Sequence, residues 1–235
     1  MVRARLKEIV PMKLVVFGAT GMIGQGVLRE CLLDPEVERV LAVGRKATGQ
    51  QHAKLKELVH ADFTDFTSVE GEFAGYDACF WCLGVSSAGM SEADYTKVTY
   101  DYALAAARPL AKLNPGMTFV FVSGASTDAT EKGSAMWARV KGKAENAITA
   151  LPFKATYMFR PGFIQPMHGI VSRTPLYRAF YAVLSPLYPL LNALAPNLAT
   201  TTEIVGRAML VAAKKGAPQR ILESKDIKAL SGIAA

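Results

Sequence analysis

The feature that most restricts the fold is a run of three spaced glycines, Gly18-Ala19-Thr20-Gly21-Met22-Ile23-Gly24, set between an apolar segment and an amphipathic one. Before it, Lys13-Leu14-Val15-Val16-Phe17 is short and continuously apolar after its first residue, the pattern of a strand buried on both faces of a parallel sheet. After it, Ile23, Val27, Leu28 and Leu32 recur at helical spacing until Asp34-Pro35 ends the pattern. Strand, glycine turn and helix in that order present backbone N–H groups at a helix N-terminus, where the helix dipole favours an anion. The turn is therefore expected to cradle a pyrophosphate, with Gly18, Thr20, Gly21, Met22, Ile23 and Gly24 as its contacts.

The alternation continues downstream. Segments 39–43, 55–60, 77–83, 118–122 and 155–159 read as strands. A helix is expected from Ser91, with Asp94 completing a capping box, through Lys112, and another over 134–151. Asn114-Pro115-Gly116 is turn chemistry. Strands alternating with helices imply right-handed βαβ units and an α/β fold: a doubly wound, parallel, Rossmann-like sheet with helices on both faces. Beyond Arg160-Pro161-Gly162 the pattern turns irregular, with helical pieces over 174–195, a helix opening near Thr200 with Glu203 as capping partner, and a last strand at 219–222. This reads as a small C-terminal helical appendage on the substrate side, mainly 163–201, within a single domain 12–235 that follows a loose extension 1–11.

The glycine spacing is G-x-x-G-x-x-G. Together with Cys82-Leu83-Gly84 after the fourth strand and Val140-Lys141-Gly142 in a later helix, it makes residues 12–162 resemble the short-chain dehydrogenase/reductase superfamily, with a weaker echo over 201–214. The likeness is to the extended and atypical branches, and among these to members similar to the Tat-interacting protein. The resemblance implies that the backbone at Leu83 and Gly84 passes the cofactor's ribose and that the segment of Pro161 borders the nicotinamide. Asp62-Phe63 is similar to the acidic-hydrophobic pair that contacts adenine in this superfamily, with a plain turn role for Asp62 as the alternative. Arg45-Lys46, at the end of the second strand, supplies two cations and no carboxylate. Cations there accommodate a ribose 2′-phosphate, so NADP is favoured over NAD.

The superfamily's chemistry uses Tyr-x-x-x-Lys on one helix and a Ser or Thr near the preceding strand end, a spacing that puts both helical side chains on one face. Here Lys141 matches and Trp137 stands where the tyrosine belongs. An indole N–H does not titrate, so Trp137 is no general acid or base. It reads either as a packing residue or as a stacking surface for nicotinamide or substrate. Ser123, with Ser126 as the alternative, is expected to polarise a substrate oxygen, and Lys141 to hold the ribose. Tyr95, Tyr100, Tyr157 and, foremost, His168 are the other proton-transfer candidates. Cys79 and Cys82 lie three apart on a strand and face opposite ways, so no metal or redox pair is expected.

Composition narrows the partners. A net charge of +7, from 27 basic and 20 acidic residues, is spread along the chain without interleaved aromatics, which argues against nucleic acid. Three cysteines and a charged N-terminus without an apolar stretch point to a reducing, cytoplasmic setting with no signal peptide. The uncharged stretch from 179 to 202 is broken by Pro186 and Pro189, so no membrane span is expected. It reads as an apolar lid or a homodimer interface, with peripheral membrane contact through 174–195 as the competing reading. The expected function is an NADP(H)-binding oxidoreductase or epimerase-like enzyme for a small carbonyl or sugar-like substrate; the alternative is a catalytically inactive NADP(H)-dependent regulator or scaffold.

Overall fold

The computed structural model of the chain describes residues 11–171 and 199–233. In chain order its elements are β1 (Met12–Phe17), α1 (Met22–Leu33), β2 (Val37–Gly44), β3 (Leu55–Val59), β4 (Ala78–Trp81), α2 (Glu92–Thr96), α3 (Tyr102–Leu113), β5 (Thr118–Val122), α4 (Met136–Thr149), β6 (Ala155–Arg160), β7 (Phe163–Gln165), β8 (Ala199–Thr201), α5 (Thr202–Lys215), β9 (Ile221–Glu223) and α6 (Ser224–Ser231). Seven strands form one sheet of order β3-β2-β1-β4-β5-β6-β9, parallel throughout, and β7 pairs with β8 separately. The expected doubly wound α/β architecture is the one observed.

The strands bury both faces because their neighbours along the chain alternate between two cores. Leu14 and Val16 of β1 join Val120 of β5 in a cluster closed by Val27 and Leu28 of α1 and Val205 and Met209 of α5. Val15 and Phe17 point the other way, with Phe119 and Phe121, onto Ala107 and Leu110 of α3 and Ala144 of α4. Between β1 and β4 the strand order reverses, and a crevice opens outside their carboxyl ends, the usual ligand position in open α/β sheets. Phe17 and Trp81, at the ends of these two strands, are fully buried in the core with ring centroids 4.7 Å apart.

Helices α1 and α5 lie close because each lacks a side chain at the crossing. A Cβ on Gly26 would come within 2.6 Å of Thr202, and one on Gly206 within 2.8 Å of Glu30. Through this contact α5, β9 and α6 join the main domain, with Leu222 and Ile227 contributing to its core. The expected last strand is β9, on the sheet edge beyond β6. The expected helical pieces at 174–195, with any lid, dimer or membrane role, lie outside the described residues.

Two details differ from expectation. The helix begun at Ser91, whose Oγ accepts the Asp94 N–H at 3.1 Å, is interrupted by a π-helical turn at Lys97–Asp101 before continuing as α3. Helix α5 is capped one residue past Thr200, by Thr201, whose hydroxyl accepts the Ile204 N–H at 3.0 Å, so Glu203 is not its capping partner. Glu203 instead pairs with Arg207 one turn on and with His168. Among the described residues no helix is long and apolar enough to cross a membrane.

Candidate functional site

The glycine turn at the mouth of the crevice divides its work among the three glycines. Gly18 has φ +75°, and a Cβ there would lie 2.6 Å from the Leu83 backbone nitrogen, so only glycine fits where the turn passes β4. A Cβ on Gly24 would lie 2.0 Å from the Gly18 carbonyl oxygen, which locks the helix onto the strand end. Gly21 is different: its φ of −78° suits any residue, its N–H donates to Gly18 O at 2.9 Å, and the nearest atom to a Cβ is that oxygen at 3.3 Å. The outer surface at Gly21 is therefore clear. It is also the N-cap of α1 and offers no side-chain cap, so the first-turn amides of Met22, Ile23 and Gly24 depend on an acceptor from outside the helix. The Thr20 carbonyl accepts the Gln25 side chain at 3.2 Å, fixing the turn from behind.

Along the crevice the flanking candidates fall into place. Arg45 and Lys46 are exposed beyond β2 with no ion-pair partner among the described residues. Ala19, Thr20, Gly44 and Lys46 line one small cleft between the turn and that loop. The loop is tied down by Thr48, whose N–H donates to Glu57 Oε1 at 2.5 Å. Asp62 is at the surface, where Oδ1 accepts both the N–H (2.8 Å) and the hydroxyl (2.6 Å) of Thr64, hydrogen bonds that lower its pKa. Phe63 turns inward, 2% exposed, edge-on to Phe17. Of that pair, then, the acid faces solvent and the aromatic side chain belongs to the core. Leu83 is partly buried against Gly18, and Gly84 is exposed with open space around it.

The other half of the crevice lies outside β5. Phe119, Phe121 and Ser123 alternate onto the face covered by α4, whose Lys141 holds its Nζ 5.8 Å from the centre of the Phe121 ring. Trp137, one helical turn earlier, reaches the strand end: its Cζ3 is 3.9 Å from the Cβ position of Gly124. Ser123, Trp137 and Lys141 are thus brought to one place. Ser123 is buried, and its Oγ lies 2.9 Å from Thr127 Oγ1. Thr127 spends its own proton on the Gly124 carbonyl at 2.8 Å, so Ser123 is the donor of the pair. Ser126 is exposed on the following turn with φ +67°, which leaves the strand-end position to Ser123.

Lys141 has no hydrogen-bond or ion-pair partner among the described residues. Loss of solvent around the ammonium pulls its pKa down to about 8, against a smaller opposing pull from Glu145. Glu145 is itself committed, since both its oxygens accept from the buried Arg160, at 3.0 Å and 2.5 Å. Pro161 follows, buried, with its carbonyl accepting the Ala125 N–H at 3.0 Å and so anchoring the loop after Ser123. These supports went unread in the sequence. The Lys141 to Glu145 spacing of four was visible, but the pairing with Arg160 needs β6 beside α4. Likewise Gly142 is required because the Asp128 carbonyl lies 1.8 Å from where its Cβ would be. Asp128 holds that loop by accepting the N–H groups of Thr130, Lys132 and Gly133, with a pKa near about 2.

The other proton-transfer candidates lie elsewhere. Tyr157 OH accepts the Ala217 N–H at 3.1 Å, in a structural contact. The Tyr100 ring carries the Lys143 ammonium 4.5 Å from its centre. Tyr95 is 2% exposed in the α2 layer. His168, expected at the pocket, packs in the opposite helix layer: its Nε2 is 2.8 Å from Glu203 Oε2 at the start of α5, close to Glu30 of α1. The reason is that β7 carries the chain across toward α1, where Met167 N–H donates to Thr202 Oγ1 at 3.1 Å. Cys79 and Cys82 face opposite cores as expected, and burial raises both thiol pKa values.

The sequence profile of the NAD dependent epimerase/dehydratase family matches residues 14–135. A Scheffersomyces stipitis relative, "Protein FMP52-2, mitochondrial", is 30% identical over 63% of this chain, which spans 65% of that relative. "Protein fmp52, mitochondrial" of Emericella nidulans is 28% identical over 85% of this chain and 86% of its own length. "Protein HTATIP2" of Rattus norvegicus is 29% identical over 63% and 61%. The chain therefore spans just under two thirds of two of these three relatives. Among solved structures, the Bordetella bronchiseptica enzyme WbmF in complex with NAD+ aligns with a TM-score of 0.67 at 14% identity, covering 95% of this chain and 77% of that one, and so shares the fold. The relatives correct one expectation. Several are named mitochondrial, which points away from a plain cytoplasmic location. Buried thiols report on the redox state of a compartment and not on which compartment it is.

Proposed function

Since this chain belongs to the NAD dependent epimerase/dehydratase family, we propose that it binds NADP(H) along the crevice and acts on a small carbonyl or sugar-like compound as an oxidoreductase or epimerase-like enzyme. The observation that carries this reading is the glycine turn, in which Gly18 and Gly24 are closed by packing while Gly21 and the uncapped first-turn amides of α1 stand clear. That is the form a pyrophosphate needs. Arg45 and Lys46, without an ion-pair partner among the described residues, support a 2′-phosphate on the adenosine side, although Glu57, held by the Thr48 N–H, lines the same cleft as Lys46. Lys141, desolvated and without a hydrogen-bond or ion-pair partner among the described residues, supports a ribose or substrate hydroxyl near β5. When bound, the dinucleotide supplies or accepts a hydride. Ser123 meets a substrate oxygen by turning its proton from Thr127, a short rotation within the same hydroxyl pair.

Trp137 favours a second reading, a regulator that binds the dinucleotide without turnover. The two are separated by calorimetric titration of the whole chain with NADP+ and NAD+, followed by NADPH oxidation with a panel of small aldehydes and ketones. The enzyme reading expects binding and turnover; binding without turnover supports the regulator; no heat with either dinucleotide removes both. Arg45→Asp is expected to shift relative affinity toward NAD+ by about tenfold or more, about 1.4 kcal/mol. An unchanged affinity ratio refutes the NADP preference.

A further inference from the structure

The missing tyrosine leaves a proton without a carrier. Of the other candidates, Trp137 does not titrate, the Tyr157 hydroxyl accepts the Ala217 N–H, the Tyr100 ring packs against the Lys143 ammonium, Tyr95 is buried in the α2 layer, and His168 lies in the opposite helix layer. Among the candidates in the described residues, Lys141 is the titratable group placed on the Ser123 face of β5. Lys141 projects from α4 over Phe121, on the same sheet face as Ser123 two residues on, and one helical turn from the indole that reaches Gly124.

We propose that the Lys141 amine is itself the proton donor and acceptor for the substrate oxygen in this chain, the task that Trp137 cannot perform. The inference deepens the functional reading above and rests on it.

The surroundings of Lys141 fit this role better than that of a fixed charge. From its own helix, Glu145 is the nearest carboxylate, and Arg160 of β6 holds both of its oxygens. Arg139 and Lys143 are occupied by Glu92 of α2 and the Tyr100 ring of the π-helical turn. Asp128, in the loop over α4, is saturated by the Thr130 hydroxyl and three backbone N–H groups. Glu223 of β9 acts on Arg160. Among the described residues no carboxylate is hydrogen-bonded or ion-paired to Lys141, and burial brings its pKa to about 8, near working pH. In the reducing direction the carbonyl π bond breaks as its carbon gains a hydride from the reduced nicotinamide. The oxygen takes one proton from the Lys141 ammonium, leaving a neutral amine that water reprotonates. Oxidation reverses each change.

Two measurements on the whole chain test this. In protein labelled with 13C at lysine Cε, a resonance is expected to titrate about two units below the surface lysines and to vanish in Lys141→Arg, which separates it from Lys228, whose pKa burial also lowers. NADPH-dependent reduction of the aldehyde and ketone panel is expected to decline as pH rises through about 8. Lys141→Arg is expected to lose on the order of a hundredfold or more in rate, with no limb near that pH, while NADP+ affinity by calorimetry changes less than about tenfold because the positive charge is kept. Lysine resonances that all titrate together overturn the proposal even if the variant does not fold. So does a variant that keeps the parent's rate and pH profile. A parent that binds no dinucleotide fails differently, by removing the functional reading, and a parent that binds NADP+ but reduces none of the panel also counts against the proposal.

Discussion

Replacing Lys141 by methionine tests the electrostatics of the site without any ligand. A lysine whose pKa falls from 10.5 to about 8 on folding opposes folding whenever it is charged, since the unfolded chain binds that proton more tightly. The full shift corresponds to about 3 kcal/mol, and the solvent that still reaches the partly exposed side chain brings the expectation to about 1–3 kcal/mol. The penalty is complete below pH 8, fades as pH rises from about 8 toward 10.5, and is absent above. Lys141→Met keeps the stem over Phe121 and removes the charge, so it is expected to be more stable than the parent at pH 7, with the advantage shrinking at pH 10. Urea denaturation at both pH values, compared through midpoint and slope, reads this directly. A variant that is less stable at pH 7, or whose advantage does not depend on pH, refutes the claim that Lys141 is held at a cost to folding.

Two further substitutions probe the supports of the site. Gly142→Ala forces the Asp128 carbonyl away from α4 and is expected to cost about 1–3 kcal/mol, a fall of about 2–4 °C in Tm per kcal/mol in a chain of this size; an unchanged melting curve shows that the loop yields freely. Glu145→Ala strands the buried Arg160 guanidinium and is expected to cost about 3–5 kcal/mol. In whatever fraction stays folded, it also lowers the Lys141 pKa further, because Glu145 is the charge that raises it; a rise in the Lys141 resonance's midpoint contradicts that assignment.

Much of the fold was legible because its signals are local. The apolar run before Gly18, the helical spacing from Ile23 to Leu32 and the β-branched segment 118–122 each declare an element within a few residues, and alternation then implies a parallel sheet. The three glycines were legible as a set, but their separate roles were not: that Gly18 is pressed by Leu83 and Gly24 by Gly18 depends on β4 lying beside β1. The π-helical turn at Lys97–Asp101 carries no spacing signal of its own. His168 was misplaced because nothing in the residues after Arg160 shows that β7 leads away from β5 and toward α1. Phe63 read as half of a contact pair, whereas its size and apolarity made it a core residue beneath the crevice. The Glu145 and Arg160 pair illustrates the general limit: opposite charges fifteen residues apart pair only once a helix and a strand have packed.

A crystal structure of the chain grown with NADP+ decides whether backbone amides at the start of α1 hold a diphosphate. Diphosphate oxygens are expected within hydrogen-bond reach of the Met22 and Ile23 amides, with the 2′-phosphate beside Arg45. A dinucleotide bound elsewhere, or a different molecule occupying the crevice in its presence, contradicts this placement.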